Sequence, residues 1–166
     1  MKKNYEKILP SYICDIQEIN NLLKVMFMNN FPHHQFILCT SGTGKICTES
    51  NIEQTVSKSN IVFINSSILF SIRQQENFSI KRIAFNGNFV TNYLQYFDFN
   101  QAVVFVPKSD EVFNAFNIAY DGYMHDKDDI QNSVNMYNLI GVCGESYVSS
   151  KPTLLTPEDF IAESGF

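Results

Sequence analysis

The stretch Gln35-Phe-Ile-Leu-Cys-Thr-Ser-Gly-Thr-Gly-Lys-Ile-Cys-Thr-Glu49 decides the fold class. Its first part is rich in aromatic and branched aliphatic side chains and is apolar on both faces, which predicts a strand. Gly42 and Gly44 can supply the positive φ that a tight connection needs. The pattern therefore predicts a β-hairpin whose second strand begins at Lys45.

Two cysteines face each other in this predicted hairpin. A register centred on Thr43 places Cys39 across from Cys47. A cross-strand pair of free thiols is typical of a reducing compartment, although the spacing also allows a disulfide. Whether the two cysteines ever pair stays open at the level of sequence.

The rest of the first half continues as strands. Turn-forming residues at 65–67 and 76–77 separate runs of β-branched and aromatic residues. The predicted strands cover residues 51–57, 61–64, 68–73 and 78–85. Successive strands without intervening helices indicate an antiparallel barrel or sandwich.

After Asn86-Gly87 the apolar spacing changes to the helical period. Phe89, Tyr93 and Phe97 recur at i, i+4 and i+8, which predicts a short helix. An extended run at 102–106 follows. Two longer amphipathic segments, starting after Ser109 and at Ile130, then predict an antiparallel helical hairpin that ends near Gly144.

Composition limits the function classes. The chain has 166 residues, 45% of them hydrophobic, which suits one domain or one domain with an appendage. Its net charge of −5, from 12 Lys and Arg against 17 Asp and Glu, argues against nucleic-acid binding by these residues. Neither a signal peptide nor an apolar run long enough for a membrane span is visible, so we expect a cytoplasmic protein.

Motifs for catalysis are weak. Gly42-Thr-Gly-Lys45 lacks the spacing of a phosphate-binding loop and joins two predicted strands. His33 and His34 are adjacent, so on a strand they would point to opposite faces and could not readily hold one metal ion. The cysteines and histidines show no spacing typical of a nucleophile and its base. We predict no enzyme, no cofactor and no metal site.

Both arginines of the predicted strands are candidate ligand anchors. Arg73 shares a side with Leu69, and Arg82 shares a side with Phe78 and Ile80. An arginine on an apolar strand face can anchor a carboxylate or a sugar hydroxyl inside a cavity. It can equally extend to the rim or pair with a structural acid.

The order of these elements resembles a known family. A polar turn with histidine precedes a strand that ends in Ser41-Gly-Thr-Gly44, the strand Ile61-Val-Phe-Ile-Asn65 follows, and Ile83-Ala-Phe-Asn-Gly87 precedes the first helix. With the two later helices, this resembles the N-terminal cupin-like sensing and dimerisation domain of AraC-type transcription regulators, over about residues 11 to 146. The resemblance implies a jelly-roll type antiparallel β-barrel, followed by a short helix and an antiparallel helical hairpin.

The resemblance also implies partners and sites. It implies a small-molecule effector in the barrel, a homodimer formed through the helices, and DNA binding only through a separate helix-turn-helix domain. The residues that we expect to line the ligand site are His34, Phe36, Leu38, Phe70, Arg73 and Phe85. The residues that we expect at the dimer interface are Val112, Phe113, Phe116, Tyr120 and Ile140.

The chain divides into three parts on this interpretation. Residues 1–100 form the sensing barrel with its first helix, residues 101–146 the dimerisation hairpin, and residues 147–166 a linker or tail toward a DNA-binding domain absent from this sequence. Two alternatives stay open: a metal-dependent cupin enzyme and a stand-alone small-molecule-binding module. Neither the effector nor the choice between activation and repression can be derived from the sequence.

Overall fold

A computed structural model describes residues 9–28, 32–125 and 128–151. In this part of the chain seven strands form one antiparallel sheet, and three helices follow toward the C-terminus, which confirms the predicted fold class. The strands are β1 (Tyr12–Ile19), β2 (Met26–Met28), β3 (His34–Thr48), β4 (Glu53–Ser57), β5 (Ile61–Ile64), β6 (Phe70–Asn86) and β7 (Val103–Phe105). The helices are α1 (Val90–Tyr96), α2 (Asp110–Met124) and α3 (Asp129–Ser150).

Two long strands, β3 and β6, form the centre of the sheet. The strand order is β1-β6-β3-β5-β7, with β2 added to β6 and β4 added to β3. The ladder between β3 and β6 runs from His34 opposite Phe85 to Thr48 opposite Phe70. Within the described residues the sheet is not closed by a ladder between its outer strands.

The predicted hairpin at Gly42 and Gly44 is wrong. β3 continues through both glycines, and its pairing with β6 shifts register between Cys39 and Gly44. Gly42 has the expected positive φ of +71°, but it occupies a bulge rather than a turn. Asn77 lies opposite this irregular stretch with a φ of +45°, so the predicted turn at 76–77 is likewise part of a continuous strand.

Because β3 continues without a hairpin, the two cysteines do not face each other. Cys39 lies opposite Ile80, and Cys47 lies opposite Ser71 of β6 and Glu53 of β4. Both cysteines are free thiols.

Side chains of the sheet are divided between two buried clusters. The helix-side cluster packs the sheet against the helices and includes Phe36, Phe85 and Phe116. The inner cluster lies on the other face and collects Ile37, Val62, Phe70 and Ile80, among others. β4 pairs with one end of β3 and β5 with the other, and both strands contribute side chains to the inner cluster. The sheet therefore curls around this cluster.

The helical hairpin is longer than predicted. α3 begins after Asp128, whose side chain accepts a hydrogen bond of 2.8 Å from the backbone N–H of Gln131. It continues to Ser150, so the first four residues of the predicted linker, 147–150, are helical. Gly144 does not end the helix. The Phe97 ring packs onto α3 at this glycine, and an added Cβ would lie 2.3 Å from that ring. Lys151 is the C-cap of α3, and residues 152–166 of the predicted linker lie outside the described residues.

Candidate functional site

A buried polar pair joins the two central strands. Nη1 of Arg82 donates a hydrogen bond of 3.0 Å to Oε1 of Gln35, and the two residues are only 6% and 1% exposed. The second terminal nitrogen, Nη2, lies 3.8 Å from Oδ2 of Asp15, whose side chain is largely exposed. Burial lowers the pKa of Arg82, and the Asp15 carboxylate opposes this shift. The guanidinium keeps its charge, because its pKa in water is too high for burial of this degree to neutralise it.

Strand alternation places this pair beside the inner cluster. Arg82 is two residues from Ile80, and Gln35 is two residues from Ile37; both isoleucines belong to that cluster. Side chains two residues apart on a strand share a face. Arg82 and Gln35 therefore bring a cation and an amide to one end of a buried surface that is otherwise apolar.

Three of the six predicted ligand residues lie on the opposite face. Phe36, Leu38 and Phe85 belong to the helix-side cluster, so these three are not in the barrel interior, whereas Phe70 belongs to the inner cluster. Side chains of a strand alternate between its two faces. An assignment of the inward face that is displaced by one residue therefore moves every chosen side chain to the other face. Gln35, Ile37 and Cys39 are spaced two residues apart and so share one face of the strand. This spacing is the sequence signal for the inner face.

Two further predicted ligand residues have structural partners instead. Arg73 is exposed and forms an ion pair of 2.8 Å with Glu53, so it does not reach the interior. His34 stacks against Phe63 and contacts Phe85 in a tilted arrangement, and its Nδ1 accepts a hydrogen bond of 3.1 Å from the backbone N–H of Ser66. Burial and the neighbouring His33 lower the pKa of His34 to about 4, so it is neutral at pH 7.

The predicted dimer residues are mostly interior. The members of this set that pack fully between the helices and the sheet are Val112, Phe116, Tyr120 and Ile140. Only Phe113 is partly exposed. An amphipathic stripe identifies a buried face, but it does not say whether that face meets the same chain or a second copy.

The exposed apolar side chains of α3 lie on another stripe. Ile130, Val134 and Tyr137 are each about half exposed or more and recur at i, i+4 and i+7. Tyr137 stacks on Tyr93 of α1 with ring centroids 4.6 Å apart. A groove of about 570 Å³ runs along this stripe past Gly141.

A second cavity opens beside the inner cluster at the far end of β3. It has a volume of about 410 Å³, within the range of small-molecule sites. Ile68 and Ala102, which touch or belong to the inner cluster, form its floor together with polar residues of the β3–β4 connection. Among the described residues no group of three or more His, Cys, Asp or Glu side chains could hold a metal ion, and no helix is long and apolar enough to cross a membrane.

Comparison with known sequences does not assign this chain to a family. No family model matches the chain. UvrABC system protein B of Halalkalibacterium halodurans is 32% identical over 83 residues, which are 50% of this chain and 12% of that protein. A match to so small a part of a large protein does not indicate a shared function.

Comparison with solved structures shows the fold. The AraC-like transcriptional activator CuxR superposes with a TM-score of 0.60 at 10% identity, over 90% of this chain and 61% of that one. An apo variant of ToxT from Vibrio cholerae gives a TM-score of 0.56 at 14% identity, over 96% of this chain and 66% of that one. ToxT bound to (E)-4-(8-methylnaphthalen-1-yl)but-3-enoic acid gives a TM-score of 0.54 at 9% identity, over 89% of this chain and 61% of that one.

The chain therefore spans less than two thirds of the length of each of these structures. Over that span it has the fold of AraC-like regulators, and the predicted resemblance to their N-terminal cupin-like domain is confirmed at the level of the fold.

Proposed function

We propose that this chain is the effector-sensing and dimerisation domain of an AraC-type transcription regulator. The observation that carries the proposal is the buried pair of Arg82 and Gln35 beside the apolar inner cluster, in a chain with the fold of AraC-like regulators. DNA binding belongs to a separate helix-turn-helix domain, since the charge of this chain is −5 and nucleic-acid binding needs a basic surface.

The effector that this site fits is a small, largely apolar carboxylic acid. The inner cluster supplies aliphatic and aromatic surface, and Arg82 supplies a planar guanidinium that can donate two parallel hydrogen bonds to a carboxylate. Asp15 lies 3.8 Å from Nη2, and an incoming carboxylate would replace it as the anionic neighbour of Arg82. The ligand of the ToxT complex, an arylbutenoic acid, has this chemistry and supports the choice.

Dimerisation would use the exposed stripe of α3 rather than its buried face. Ile130, Val134 and Tyr137 leave apolar surface in contact with solvent, and a second copy related by a two-fold axis would cover it. A two-fold dimer suits a regulator that reads two DNA half-sites. Residues beyond α3 would then serve as the connection to the DNA-binding domain, and effector binding would act by favouring one arrangement of the two domains.

Isothermal titration calorimetry with the arylbutenoic acid and the corresponding alcohol tests the effector class. We expect the acid to bind the wild type and the alcohol to bind at least about tenfold more weakly, because the alcohol cannot form the charged pair. Arg82→Gln should weaken binding of the acid by a similar factor. Arg73→Gln is the matched control, since Arg73 is exposed and pairs with Glu53, and it should bind like the wild type.

Equal affinity for acid and alcohol would contradict the effector class. Equal loss of binding in the two arginine variants would contradict the assignment of Arg82. Circular dichroism of each variant shows whether the fold is retained, so that loss of binding is not confused with unfolding.

A further inference from the structure

A thiol and an imidazole lie within hydrogen-bond distance at the edge of the sheet. Sγ of Cys14 is 3.3 Å from Nδ1 of His33, and both residues are half-buried. Cys14 belongs to β1, and His33 immediately precedes β3. The two side chains therefore come from β1 and from the residue before β3, and these two strands flank β6.

An irregularity of β1 sets the position of Cys14. Ile13 lies opposite Phe85 and Asp15 lies opposite Ala84, so two neighbouring residues of β6 are matched by three of β1 and Cys14 is the extra residue. Bulges of this kind re-aim a side chain and are enriched beside active sites. The backbone at this point is also held by α2, because the hydroxyl of Tyr123 donates a hydrogen bond of 3.2 Å to the carbonyl oxygen of Cys14.

The other cysteines have different surroundings. Cys39 and Cys143 are buried, and burial raises the pKa of both thiols, that of Cys39 to about 11. Cys47 is half-buried like Cys14, but its Sγ contacts the carbonyl oxygen of Thr48 at 3.6 Å. Cys47 is therefore an internal reference with similar access, whose thiol contacts a backbone carbonyl rather than an imidazole.

We propose that Cys14 is a nucleophilic thiol that hydroperoxides oxidise to a sulfenic acid, with His33 as its base. The thiol proton passes to Nδ1 of His33, and the thiolate attacks one oxygen of the peroxide. The S–O bond forms as the O–O bond breaks, and the leaving alkoxide (hydroxide when the oxidant is hydrogen peroxide) takes the proton from the imidazolium to give an alcohol or water. Sulfur loses two electrons and the peroxide gains them, so no other reactant is needed.

Site-resolved trapping tests this proposal on the whole chain. The protein is treated with hydrogen peroxide in the presence of dimedone, and the modified fraction of each cysteine is measured over time by mass spectrometry of peptides. We expect Cys14 to be trapped about tenfold faster than Cys47 at neutral pH, because an adjacent imidazole increases the reactive thiolate fraction. His33→Asn should reduce the rate at Cys14 to that at Cys47, whereas His125→Asn, on an exposed histidine after α2, should not.

A pH profile of alkylation by iodoacetamide provides a second readout in the unchanged protein. Between about pH 6 and pH 8 the rate at Cys14 should vary less with pH than the rate at Cys47, because the proton of Cys14 can pass to His33. Equal trapping rates for Cys14 and Cys47, coincident pH profiles, or a folded His33→Asn variant with an unchanged rate at Cys14 would each overturn the proposal.

Discussion

Nη1 of Arg82 donates its hydrogen bond to Oε1 of Gln35 over 3.0 Å, and this bond joins β6 to β3 where both strands are buried. Ile37 and Ile80, two residues away on the same face, are aliphatic, and Gln17 of β1 lies opposite Arg82. A charged donor in such surroundings depends strongly on its acceptor, because water cannot replace it.

Replacing the acceptor should therefore destabilise the fold. Gln35→Leu leaves Nη1 of Arg82 without this partner in a buried position, and we expect the free energy of unfolding to fall by about 1–3 kcal/mol. Urea denaturation followed by circular dichroism measures the change. Gln74→Leu, at an exposed position of β6, is the control, and an equal effect of the two substitutions would show that the buried bond contributes little.

Sequence reasoning identified the sheet and the helices because their periods differ. It assigned Phe36 and Leu38 to the ligand site, whereas the structure packs both against the helices; a strand buried on both faces has no polar side to fix its orientation. It also treated Gly42 as a turn, because a residue with positive φ serves a bulge as well as a hairpin. Which residue of the neighbouring strand pairs with each residue of β3 decides between a bulge and a hairpin, and this pairing is set by tertiary structure.

Gly42 gives a direct test of the bulge. Its φ is +71°, and an added Cβ would lie 2.2 Å from the backbone oxygens of Glu76 and Asn77. We expect Gly42→Ala to lower the free energy of unfolding by more than about 1 kcal/mol, because backbone atoms cannot move aside cheaply. Thr43→Ala is the neighbouring control and should cost only a few tenths of that amount in a denaturant titration. Similar losses in both variants would argue for an open turn at this point.

His34 should make stability depend on pH. Its pKa is lowered to about 4, mainly by burial, so the unfolded chain binds a proton that the folded chain does not between about pH 6.5 and pH 4. Stability from this residue is complete above the unfolded pKa and is lost as the pH falls. Between pH 7 and pH 5 the loss should be about 2 kcal/mol.

Denaturant titrations at the two pH values, on the wild type and on His34→Gln, measure this contribution. Glutamine keeps an acceptor for the N–H of Ser66 but does not titrate. The variant should therefore lose less stability than the wild type as the pH falls. A wild type and His34→Gln with the same pH dependence would show that His34 is not the group responsible.

The exposed apolar stripe of α3 predicts that the chain forms a dimer. Size-exclusion chromatography with light scattering should find a dimer of the wild type at micromolar concentration. Val134→Asp should give a monomer, because it places a charge in the centre of the stripe. Ile118→Asp, at a similarly exposed position of α2, should remain a dimer. A strictly monomeric wild type, or dissociation only in the Ile118 variant, would remove α3 as the interface.

The most direct test of effector recognition uses the two arginines of this chain as reporters, since each gives one side-chain Nε–H signal in a ¹H–¹⁵N spectrum. Titration with the arylbutenoic acid should shift the signal of Arg82, which lies at the inner cluster, and leave that of Arg73, which pairs with Glu53 on the surface, in place. The corresponding alcohol should shift neither. Recognition of a carboxylate by Arg82 would be contradicted by a saturating addition of acid that leaves the Arg82 signal where it was or moves only that of Arg73.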